Sequence, residues 1–492
     1  MIADEIAWHV AQQLRHVPTA DQQRAITVFA RFLADRSEQS VMVMRGAAGT
    51  GKTTLASAMV RTLRELKQKV VLMAPTGRAA KVFAQNSSTT AFTIHRRIYR
   101  QRTAGDLSSF NLNFNTASDT LFLVDEASMV ANTGFADSMF GEGRLLDDLV
   151  RFVYNSRNCR LMLIGDQAQL PPVGEEESPA LSTDVLRSLG LRVYECSLDE
   201  VLRQSHDSGI LWNATRIRSL TDGMLPRIRF TGFADISIVP GDELIEQLNS
   251  SYSAVGIDDT IVVTRSNKRC NIYNIGIRNT ILDREEQLCR GDQLMVVKNN
   301  YYWKAPSLPP TEAPSLPPPR GEETIKGGLS FLANGDRARV LRVRNVRELY
   351  GFHFADVALQ LPDYDDRELQ ATVLLDTLAA EAPALTREQQ QTLFSRVMDD
   401  YADIPQKGER IRRLKEDAYF NALQVKYAYA VTCHKAQGGQ WAHVYVDQGY
   451  MTDDMLTPDY IHWLYTAFTR ATEKLFLVNW PRNQVEDEAA TV

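Results

Sequence analysis

The chain has 492 residues, of which 44% are hydrophobic and 24% are charged, and its formal net charge is −6 at pH 7. A chain of this length exceeds one ordinary core, so we expect several domains. The apolar and charged fractions are typical of globular proteins. The net negative charge neither indicates nucleic acid as a partner nor excludes it, because a binding groove needs only local positive charge.

The cysteines are few and widely spaced, without a C-x-x-C pair. They are Cys159, Cys196, Cys270, Cys289 and Cys433. This spacing indicates neither a disulfide framework nor a zinc site, and it is typical of a protein from a reducing cytosol. The N-terminus carries early acidic residues, and no apolar run approaches the roughly 20 residues that span a bilayer. We therefore expect a cytoplasmic protein without a membrane partner.

Helical and strand patterns alternate along the first third of the chain. Residues 1–36 have the amphipathic pattern of helices. Short runs rich in Val, Leu, Ile or Met follow at residues 41–44, 70–74, 121–124 and 161–164. Such runs, bounded by Gly, Pro or Asp, are typical of a parallel sheet covered on both faces, so we expect an α/β unit here.

The sequence GAAGTGKT at residues 46–53 fits G-x-x-x-x-G-K-[ST], the loop that cradles nucleotide phosphates. Its glycines allow tight turns that direct backbone N–H groups at phosphate oxygens, and the helix predicted after it presents its N-terminus to the anion. We expect Lys52 to reach the β- and γ-phosphates and Thr53 to place its hydroxyl on Mg²⁺. A chance glycine-rich turn is the alternative, which the flanking strand and helix disfavour.

Two predicted strands of this unit end in polar side chains. The run at 121–124 is followed by Asp125 and Glu126, at the edge where doubly wound sheets bind ligands. We expect Asp125 to hold Mg²⁺ through water and Glu126 to orient or deprotonate the attacking water. The run at 161–164 is followed by Gln167, which we expect to sense the γ-phosphate; a turn satisfied by polar side chains is the alternative.

A second set of strand patterns lies at residues 261–264, 444–446 and 475–478. We therefore expect a second α/β unit, and it is interrupted. Residues 304–320 form a proline-rich repeat that favours polyproline II, interpreted as a surface linker rather than a peptide ligand. Residues 336–360 alternate like a small antiparallel sheet, and residues 386–420 have the pattern of charged helices. These features predict an inserted domain over about 300–425.

Eight ordered motifs resemble those of superfamily 1B helicases of the RecD/Dda type. They are GAAGTGKTT (46–54), APTGRAAK (74–81), TIHR (93–96), VDEASM (124–129), GDQAQLPPVG (165–174), VLRQ (201–204), VTCHKAQGGQW (431–441) and YTAFTRAT (465–472). Each motif alone is weak evidence for the family. Their order, and their spread over nearly the whole chain, are specific to this family.

The resemblance implies an α/β fold with two RecA-like P-loop motor domains that hold ATP between them. The first would cover residues 1–178, with a small hairpin insertion, called the pin, at 96–118. The second would cover residues 179–300 and 426–492. A larger β-rich and helical accessory domain would interrupt it at 301–425.

The resemblance also implies the remaining residues of the ATP site. A glutamine ahead of the phosphate loop reads adenine, and Gln22 matches that position, although the adjacent Gln23 leaves the register open. Arg203 and Arg470 match arginines that reach the γ-phosphate from the second motor domain, where planar guanidinium groups stabilise developing charge; for each, an ion-paired structural arginine is the alternative. The nucleotide-binding residues expected are Gln22, Gly46, Gly49, Thr50, Gly51, Lys52, Thr53, Thr54 and Gly438.

A nucleic-acid path is implied in the same way, since hydroxyl, imidazole, basic and backbone N–H groups suit a phosphodiester chain. The DNA-contacting residues expected are Pro75, Thr76, Arg78, His95, Thr432, His434 and Lys435, with Phe110 and Phe114 in the pin. An aromatic side chain of the pin could stack on the last base pair, while a buried anchoring role is the alternative for both. The basic loop at 264–269 stays open between a DNA contact and a solvated turn.

These implications predict an ATP-dependent DNA helicase that moves 5′ to 3′ on single-stranded DNA and acts at junctions with duplex, in DNA repair, recombination or replication. ATP and Mg²⁺ are the expected cofactors. A monomer that works with single-strand-binding or recombination proteins is expected. The alternative is a DNA-stimulated ATPase that remodels protein–DNA complexes without unwinding. A nucleotide-sensing switch is a third, more distant class, which the motifs of the second motor domain disfavour.

Overall fold

The chain forms two compact units. The computed structural model describes residues 2–14, 16–35, 37–101, 110–134, 143–200, 207–220, 224–300, 302–303 and 332–486. The first unit contains Met1–Tyr99, Leu112–Arg265 and Cys433–Val492, and the second contains Arg100–Asn111 and Ser266–Thr432. Among the described residues, none of the helices combines the length and the apolarity that crossing a bilayer requires.

The strands, in chain order, are β1 (Ser40–Gly46), β2 (Lys69–Ala74), β3 (Ala91–Thr93), β4 (Tyr99–Gln101), β5 (Phe110–Leu112), β6 (Thr120–Val124), β7 (Arg160–Gly165), β8 (Arg192–Leu198), β9 (Ile236–Val239), β10 (Thr260–Thr264), β11 (Gln293–Val296), β12 (Arg337–Leu349), β13 (Phe352–Leu361), β14 (Arg367–Leu374), β15 (Leu423–Tyr427), β16 (Ala430–Thr432), β17 (Trp441–Asp447) and β18 (Ala471–Val478).

The α-helices are α1 (Ile2–Gln13), α2 (Ala20–Ala34), α3 (Lys52–Glu65), α4 (Gly77–Ser87), α5 (Ile94–Ile98), α6 (Leu145–Tyr154), α7 (Thr183–Ser188), α8 (Gly209–Ile217), α9 (Leu244–Ala254), α10 (Asn267–Gly276), α11 (Arg387–Asp399), α12 (Lys407–Lys415), α13 (Cys433–Ala436) and α14 (Pro458–Phe468). A π-helical turn, Ile277–Ile281, continues α10.

The first unit contains two parallel sheets. In one, the strand order is β3-β2-β6-β7-β1-β8, and every neighbouring pair is parallel. In the other, β10, β17, β18 and β9 follow one another, also in parallel. Both sheets are built from apolar strands that are buried along most of their length, as strands covered on both faces require.

The first sheet extends beyond residue 178, where the sequence suggested that the first motor domain ends. Strand β8 pairs in register with β1, from Ser40 opposite Arg192 to Gly46 opposite Leu198. Its burial alternates because it is an edge strand with polar residues on one side. An edge strand of this kind lacks the continuous apolar run by which the other strands were recognised. The proposed domain boundaries stay predictions.

Helix α2 begins with a capping box that also fixes one residue of the site. The Thr19 hydroxyl accepts a hydrogen bond from the Gln22 N–H, and the Gln22 side chain accepts one from the Thr19 N–H. This reciprocal pair satisfies two N–H groups that a helix start leaves unpaired. The apolar face of α2, including Phe29 and Phe32, packs in the core beside α3 and the first sheet.

The second unit is organised around a closed barrel of β11, β12, β13, β14 and β15. Its strands pair antiparallel except β14 and β15, which are parallel and are joined through α11 and α12. The barrel starts at Gln293 and ends at Tyr427, so β11 precedes the predicted insertion at 301–425 and β15 extends two residues past it. Closure explains this difference, because β11 and β15 must pair with each other.

A tight turn between β12 and β13 supports a second, smaller core in this unit. Tyr350 and Gly351 both have positive φ, at 55° and 71°, as a two-residue hairpin turn of the primed type requires. A Cβ on Gly351 would lie 2.2 Å from an Arg396 guanidinium nitrogen, so glycine also allows α11 to approach the turn. Phe352 and Phe354 then pack against α11 and α12.

Strands β4 and β5 form a two-stranded sheet within the predicted pin at 96–118, whose residues 102–109 lie outside the described residues. Two parallel sheets with their helices, this small insertion and the larger β-rich and helical insertion confirm the predicted α/β class with two RecA-like P-loop domains. The proline-rich repeat at 304–320 also lies outside the described residues.

A buried carboxylate joins the barrel to α10 within the second unit. Asp292 is fully buried and accepts hydrogen bonds from the guanidinium groups of Arg278 and Arg284, at 3.0 and 2.8 Å. The Tyr429 hydroxyl and the Cys289 N–H donate to it as well, at 2.8 and 2.7 Å. The charge of the carboxylate is therefore compensated, as its burial requires.

Replacing this carboxylate should destabilise the second unit. Asp292→Asn removes the counter-charge of the buried Arg278 and the partly buried Arg284, and we expect the free energy of unfolding to fall by about 3–5 kcal/mol. Calorimetric or urea-induced unfolding would measure it. Glu409→Gln, which removes an exposed ion pair on α12, is the control and should leave the transition unchanged. Equal transitions for wild type and Asp292→Asn would contradict the assigned role.

Candidate nucleotide site and nucleic-acid interface

The phosphate loop connects β1 to α3, as the sequence predicts. Gly49 and Gly51 have φ of 78° and 81°, in the region that glycine adopts most readily. A Cβ on Gly46 would lie 2.8 Å from Thr50 Oγ1 and 2.9 Å from Leu198 O, so this position also requires glycine. The loop thus has the backbone form that brings N–H groups and a helix N-terminus to one point.

Lys52 is held by the loop itself. Its ammonium group donates to the carbonyl oxygens of Gly46 and Ala47, at 2.7 and 2.9 Å, and lies 4.0 Å from Asp166 Oδ2. Carbonyls compensate a cation less well than a phosphate oxygen does, so an incoming phosphate competes favourably for this ammonium group. Thr53 lies in the first turn of α3, beside Lys52, and Thr54 is exposed.

Asp125 and Glu126 follow β6, at the carboxyl end of the first sheet. Burial, followed by the charge of Glu126, raises the pKa of Asp125 to about 7, and the Lys52 ammonium opposes this shift. The Glu126 N–H donates to Asp125 Oδ1 at 2.9 Å. Glu126 has φ of 52°, a left-handed conformation that costs energy in a residue other than glycine and is often found at functional sites. A cation at Asp125 would favour its charged form.

The residues present fit a magnesium ion that is shared with a phosphate. Within the described ranges, no set of three or more His, Cys, Asp or Glu side chains is arranged to hold a metal by itself. The Thr53 hydroxyl is the predicted direct ligand, and Asp125 is predicted to hold the ion through water. Mg²⁺ ordinarily takes one or two protein ligands and completes its shell with phosphate and water. A small set of protein donors is therefore sufficient.

Two glutamines follow β7, and their side chains have different surroundings. Gln167 makes a long hydrogen bond of 3.4 Å from its side-chain nitrogen to Leu181 O. Gln169 is 5% exposed, and its side-chain oxygen has no hydrogen-bond partner in the part of the chain that the structure describes. A buried acceptor without a partner calls for an explanation such as a ligand or water. Sequence reasoning did not single out Gln169, because one more polar residue in a turn carries no signal.

Residues of α14 and of the loop before β17, both beside the second sheet, contact the loop that follows β7. Thr466 Oγ1, on α14, accepts a hydrogen bond from the Leu170 N–H at 2.8 Å. The Gln437 side chain donates to Leu170 O at 2.6 Å. His462 Nδ1 lies 2.9 Å from Ala168 O, and since a carbonyl only accepts, this nitrogen donates. The two sheets of the first unit therefore meet at this loop.

Arg470 follows α14 and is 2% exposed. Its guanidinium group donates to Thr466 O, Gly439 O and Thr469 Oγ1, at 3.0, 3.1 and 3.2 Å. In this structure it therefore secures the end of α14 and the loop before β17, and its contact with a γ-phosphate stays a prediction. Arg203 lies outside the described residues.

Gln22 lies behind the phosphate loop, fully buried, with its side-chain nitrogen 3.3 Å from Thr50 O, whereas Gln23 is exposed. Gly438 has φ of 71°, and a Cβ there would lie 3.0 Å from Thr76 Oγ1. Gly438 thus permits a close approach between the loop before β17 and the start of α4. The nucleotide contacts of Gln22 and Gly438 stay predictions.

Arg78 joins α4 to the second sheet. Its guanidinium carbon lies 4.2 Å from the centre of the Trp441 ring, and it donates a hydrogen bond to Gln440 O. Cation–π stacking and a carbonyl acceptor fix the side chain here. Arg78, which is a predicted DNA contact, therefore also links the two sheets. Thr76 caps α4 by accepting from the Ala79 N–H, and Pro75 precedes it, partly buried.

The other predicted DNA contacts have varied surroundings. Burial lowers the pKa of His95 to about 4, so its ring is neutral at pH 7. Burial also lowers the pKa of Lys435 to about 8, which leaves this lysine mainly charged at pH 7. His434 is exposed, and Thr432, in the second unit, is partly buried. As a neutral group, His95 would contact a phosphate as a donor rather than as a cation.

The aromatic residues of the pin are only partly described. Phe110 begins β5, and its side chain lies outside the described set. Phe114 follows β5 and is 65% exposed. This exposure disfavours a buried anchoring role for Phe114.

The pKa of His95 has a consequence for stability. Because the folded-state pKa of about 4 lies below the unfolded value of about 6.5, acid protonates the unfolded chain first. The contribution of His95 to stability is present above about pH 6.5 and should fall by up to about 3 kcal/mol as the pH drops to 4. Unfolding measured from pH 7 to 4.5 should show a smaller loss for His95→Gln; parallel curves would be inconsistent with a buried neutral ring.

Two family models match the chain. An AAA domain model matches residues 19–230, and a UvrD-like helicase C-terminal domain model matches residues 427–478. The first match includes the phosphate loop, Asp125, Glu126 and the loop after β7, and the second includes β17 and α14. The geometry above brings together residues from both matches.

Several proteins are similar in sequence. The ATP-dependent RecD2 DNA helicase of Deinococcus radiodurans is 32% identical over 29% of this chain and 18% of its own length. The ATP-dependent DNA helicase dda of Enterobacteria phage T4 is 24% identical over 56% of this chain and 60% of its own length. An uncharacterised protein of Acanthamoeba polyphaga mimivirus is 22% identical over 92% of this chain and 98% of its own length. The chain thus spans less than two thirds of both named helicases.

Among solved structures, a Pif1 helicase from Bacteroides in complex with ADP-AlF3 and ssDNA has a TM-score of 0.46 and 13% identity, over 96% of this chain and 95% of that one. The family matches and the sequence relatives agree with the ordered motifs. Together they support a superfamily 1B helicase of the RecD and Dda type.

Proposed function

We propose that this protein is an ATP-dependent DNA helicase that translocates 5′ to 3′ on single-stranded DNA and unwinds duplex at junctions. The observation that carries the proposal is the contact of α14 and Gln437 with the loop after β7, next to the phosphate loop. A nucleotide bound at this loop would be sensitive to the position of the second sheet. Such sensitivity is what allows ATP turnover to drive motion.

ATP binding is assigned to the phosphate loop. Lys52 and the first turn of α3 hold the phosphates, and the Thr53 hydroxyl and Asp125 hold Mg²⁺. When bound, Mg²⁺ neutralises phosphate charge and orients the terminal phosphate. Glu126 orients and deprotonates the attacking water, a role for which its place beside Asp125 is suited.

The terminal phosphate is assigned to polar groups from both sheets. Gln167 is the predicted sensor. The amide oxygen of Gln169, which has no hydrogen-bond partner within the described residues, only accepts hydrogen bonds, so it suits a water molecule rather than a phosphate oxygen. Arg470 would have to leave its carbonyl partners to reach a phosphate, and Arg203 would supply a second guanidinium group. Gln22 is assigned to adenine, and Gly438 to the coupling between DNA and nucleotide.

The nucleic-acid path is assigned to Pro75, Thr76, Arg78, His95, Thr432, His434 and Lys435, with Phe110 and Phe114 at the junction. Phe114 supports this path most directly, because its side chain is exposed and an exposed aromatic ring can stack on a base. The protein partners are proposed to be single-strand-binding or recombination proteins, in repair, recombination or replication. A monomer is proposed as the working state.

Lys52→Ala should abolish ATP hydrolysis. The variant removes the ammonium group that stabilises the phosphates, and we expect the DNA-stimulated rate to fall by about a hundredfold or more. Steady-state phosphate release with single-stranded DNA measures it. Lys69→Ala removes an exposed lysine from the neighbouring strand β2 and should retain the wild-type rate. Wild-type turnover by Lys52→Ala would refute the phosphate-site assignment.

Duplexes with a single tail test polarity and unwinding together. With ATP and Mg²⁺, we expect strand separation of a duplex with a 5′ single-stranded tail and none with a 3′ tail of the same sequence. Gel or fluorescence separation of a labelled strand reports it. Activity with the 3′ tail alone would reverse the polarity. DNA-stimulated hydrolysis without separation of either substrate would favour the remodelling ATPase instead.

A further inference from the structure

One face of α14 is directed at the nucleotide site. His462, Tyr465 and Thr466 are spaced i, i+3 and i+4, so they lie on the same side of the helix. His462 and Thr466 contact the loop after β7, as described above. Tyr465, between them, lies at a position to which no role has been assigned.

The Tyr465 hydroxyl connects two parts of the ATP site. It accepts a hydrogen bond from the N–H of Ala48, in the phosphate loop, at 2.8 Å. It donates one to Asp166 Oδ2, after β7, at 2.6 Å. Tyr465 is 1% exposed and Asp166 is 3% exposed, so water does not replace either bond easily.

The same carboxylate is close to the catalytic lysine. Asp166 Oδ2 lies 4.0 Å from Lys52 Nζ, so a single oxygen faces both the phenol and the ammonium group. Burial, and then the charge of Asp166, raises the pKa of Tyr465, so the hydroxyl remains a donor at neutral pH. Hydrogen bonds to a charged acceptor are stronger than neutral ones.

We propose that Tyr465 is a positioning residue for ATP hydrolysis, whose hydroxyl ties the phosphate loop and Asp166 to α14. Displacement of α14 would break both hydrogen bonds at once. The Ala48 N–H would lose its acceptor, and Asp166 Oδ2 would face Lys52 without the phenol, while Asp166 Oδ1 keeps its hydrogen bond from the Ala168 N–H. The second sheet thereby controls how the phosphate loop and its lysine are arranged. This inference rests on the proposed ATPase function.

A matched pair of variants on α14 tests the inference. Tyr465→Phe removes the hydroxyl and keeps the ring. Tyr460→Phe is the control: Tyr460 is equally buried on the same helix, and its hydroxyl donates to Gln448 at 2.6 Å rather than to the phosphate loop. Hydrolysis of ATP with and without oligothymidylate, together with thermal unfolding, is measured for both.

We expect Tyr465→Phe to lower the DNA-stimulated kcat about ten- to hundredfold, as loss of a hydrogen bond to a charged group predicts. The KM for ATP should change by less than about threefold, because the loss concerns positioning rather than uniform binding. Tyr460→Phe should stay within about twofold of the wild-type kcat. Both variants should unfold at similar temperatures, since each loses one buried hydroxyl.

A second variant guards against a folding defect in the first. Asp166→Asn removes the charge of the acceptor. Because the two groups act as a pair, the double variant with Tyr465→Phe should be no less active than the less active of the two single variants. Additive losses would overturn the inference.

The inference and the proposed function fail in different ways. If Tyr460→Phe loses kcat as strongly as Tyr465→Phe, general loosening of α14 explains the result and the inference falls. It also falls if Tyr465→Phe keeps the wild-type kcat while Lys52→Ala is inactive, and the ATPase assignment then stands. A wild-type protein without ATPase activity overturns both.

Discussion

The contact of α14 with the phosphate loop and the loop after β7 is the constraint on which the proposed activity depends. Thr466 and Tyr465 reach across from the second sheet to Leu170, Ala48 and Asp166. These bonds are short and buried, so the sheets cannot separate without exposing unpaired polar groups, each of which costs free energy. A nucleotide bound at the phosphate loop would therefore be sensitive to the distance between the two sheets.

The charges at this site explain why a nucleotide would change the arrangement. Lys52 is bonded to carbonyls of its own loop, and Asp125 is buried with a raised pKa beside Glu126. Phosphate oxygens and a divalent cation would compensate these groups better than the protein does alone. Arg470, now bonded to backbone carbonyls, is the group whose partners would have to change most.

The sequence predicted those parts of the site whose signal is local. The phosphate loop, the strand that ends at Asp125 and Glu126, and both parallel sheets follow from short patterns of glycine, apolar and acidic residues. Contacts between distant segments were not predictable: Tyr465 meets Asp166 across 299 residues, and Arg78 meets Gln440 across 362. Strand β8 and the outer barrel strands were also missed, because their pairing partners, rather than their own composition, make them strands.

We propose that one nucleotide is bound by the phosphate loop and that residues beside the second sheet complete its site. A structure with ADP, aluminium fluoride and Mg²⁺ would test this arrangement. We expect the Lys52 ammonium group to leave Gly46 O and Ala47 O for the phosphate mimic, with Thr53 and Asp125 around the metal and Arg470 turned toward the fluoride. A nucleotide bound elsewhere, or Lys52 still on its two carbonyls beside a bound nucleotide, would contradict the claim.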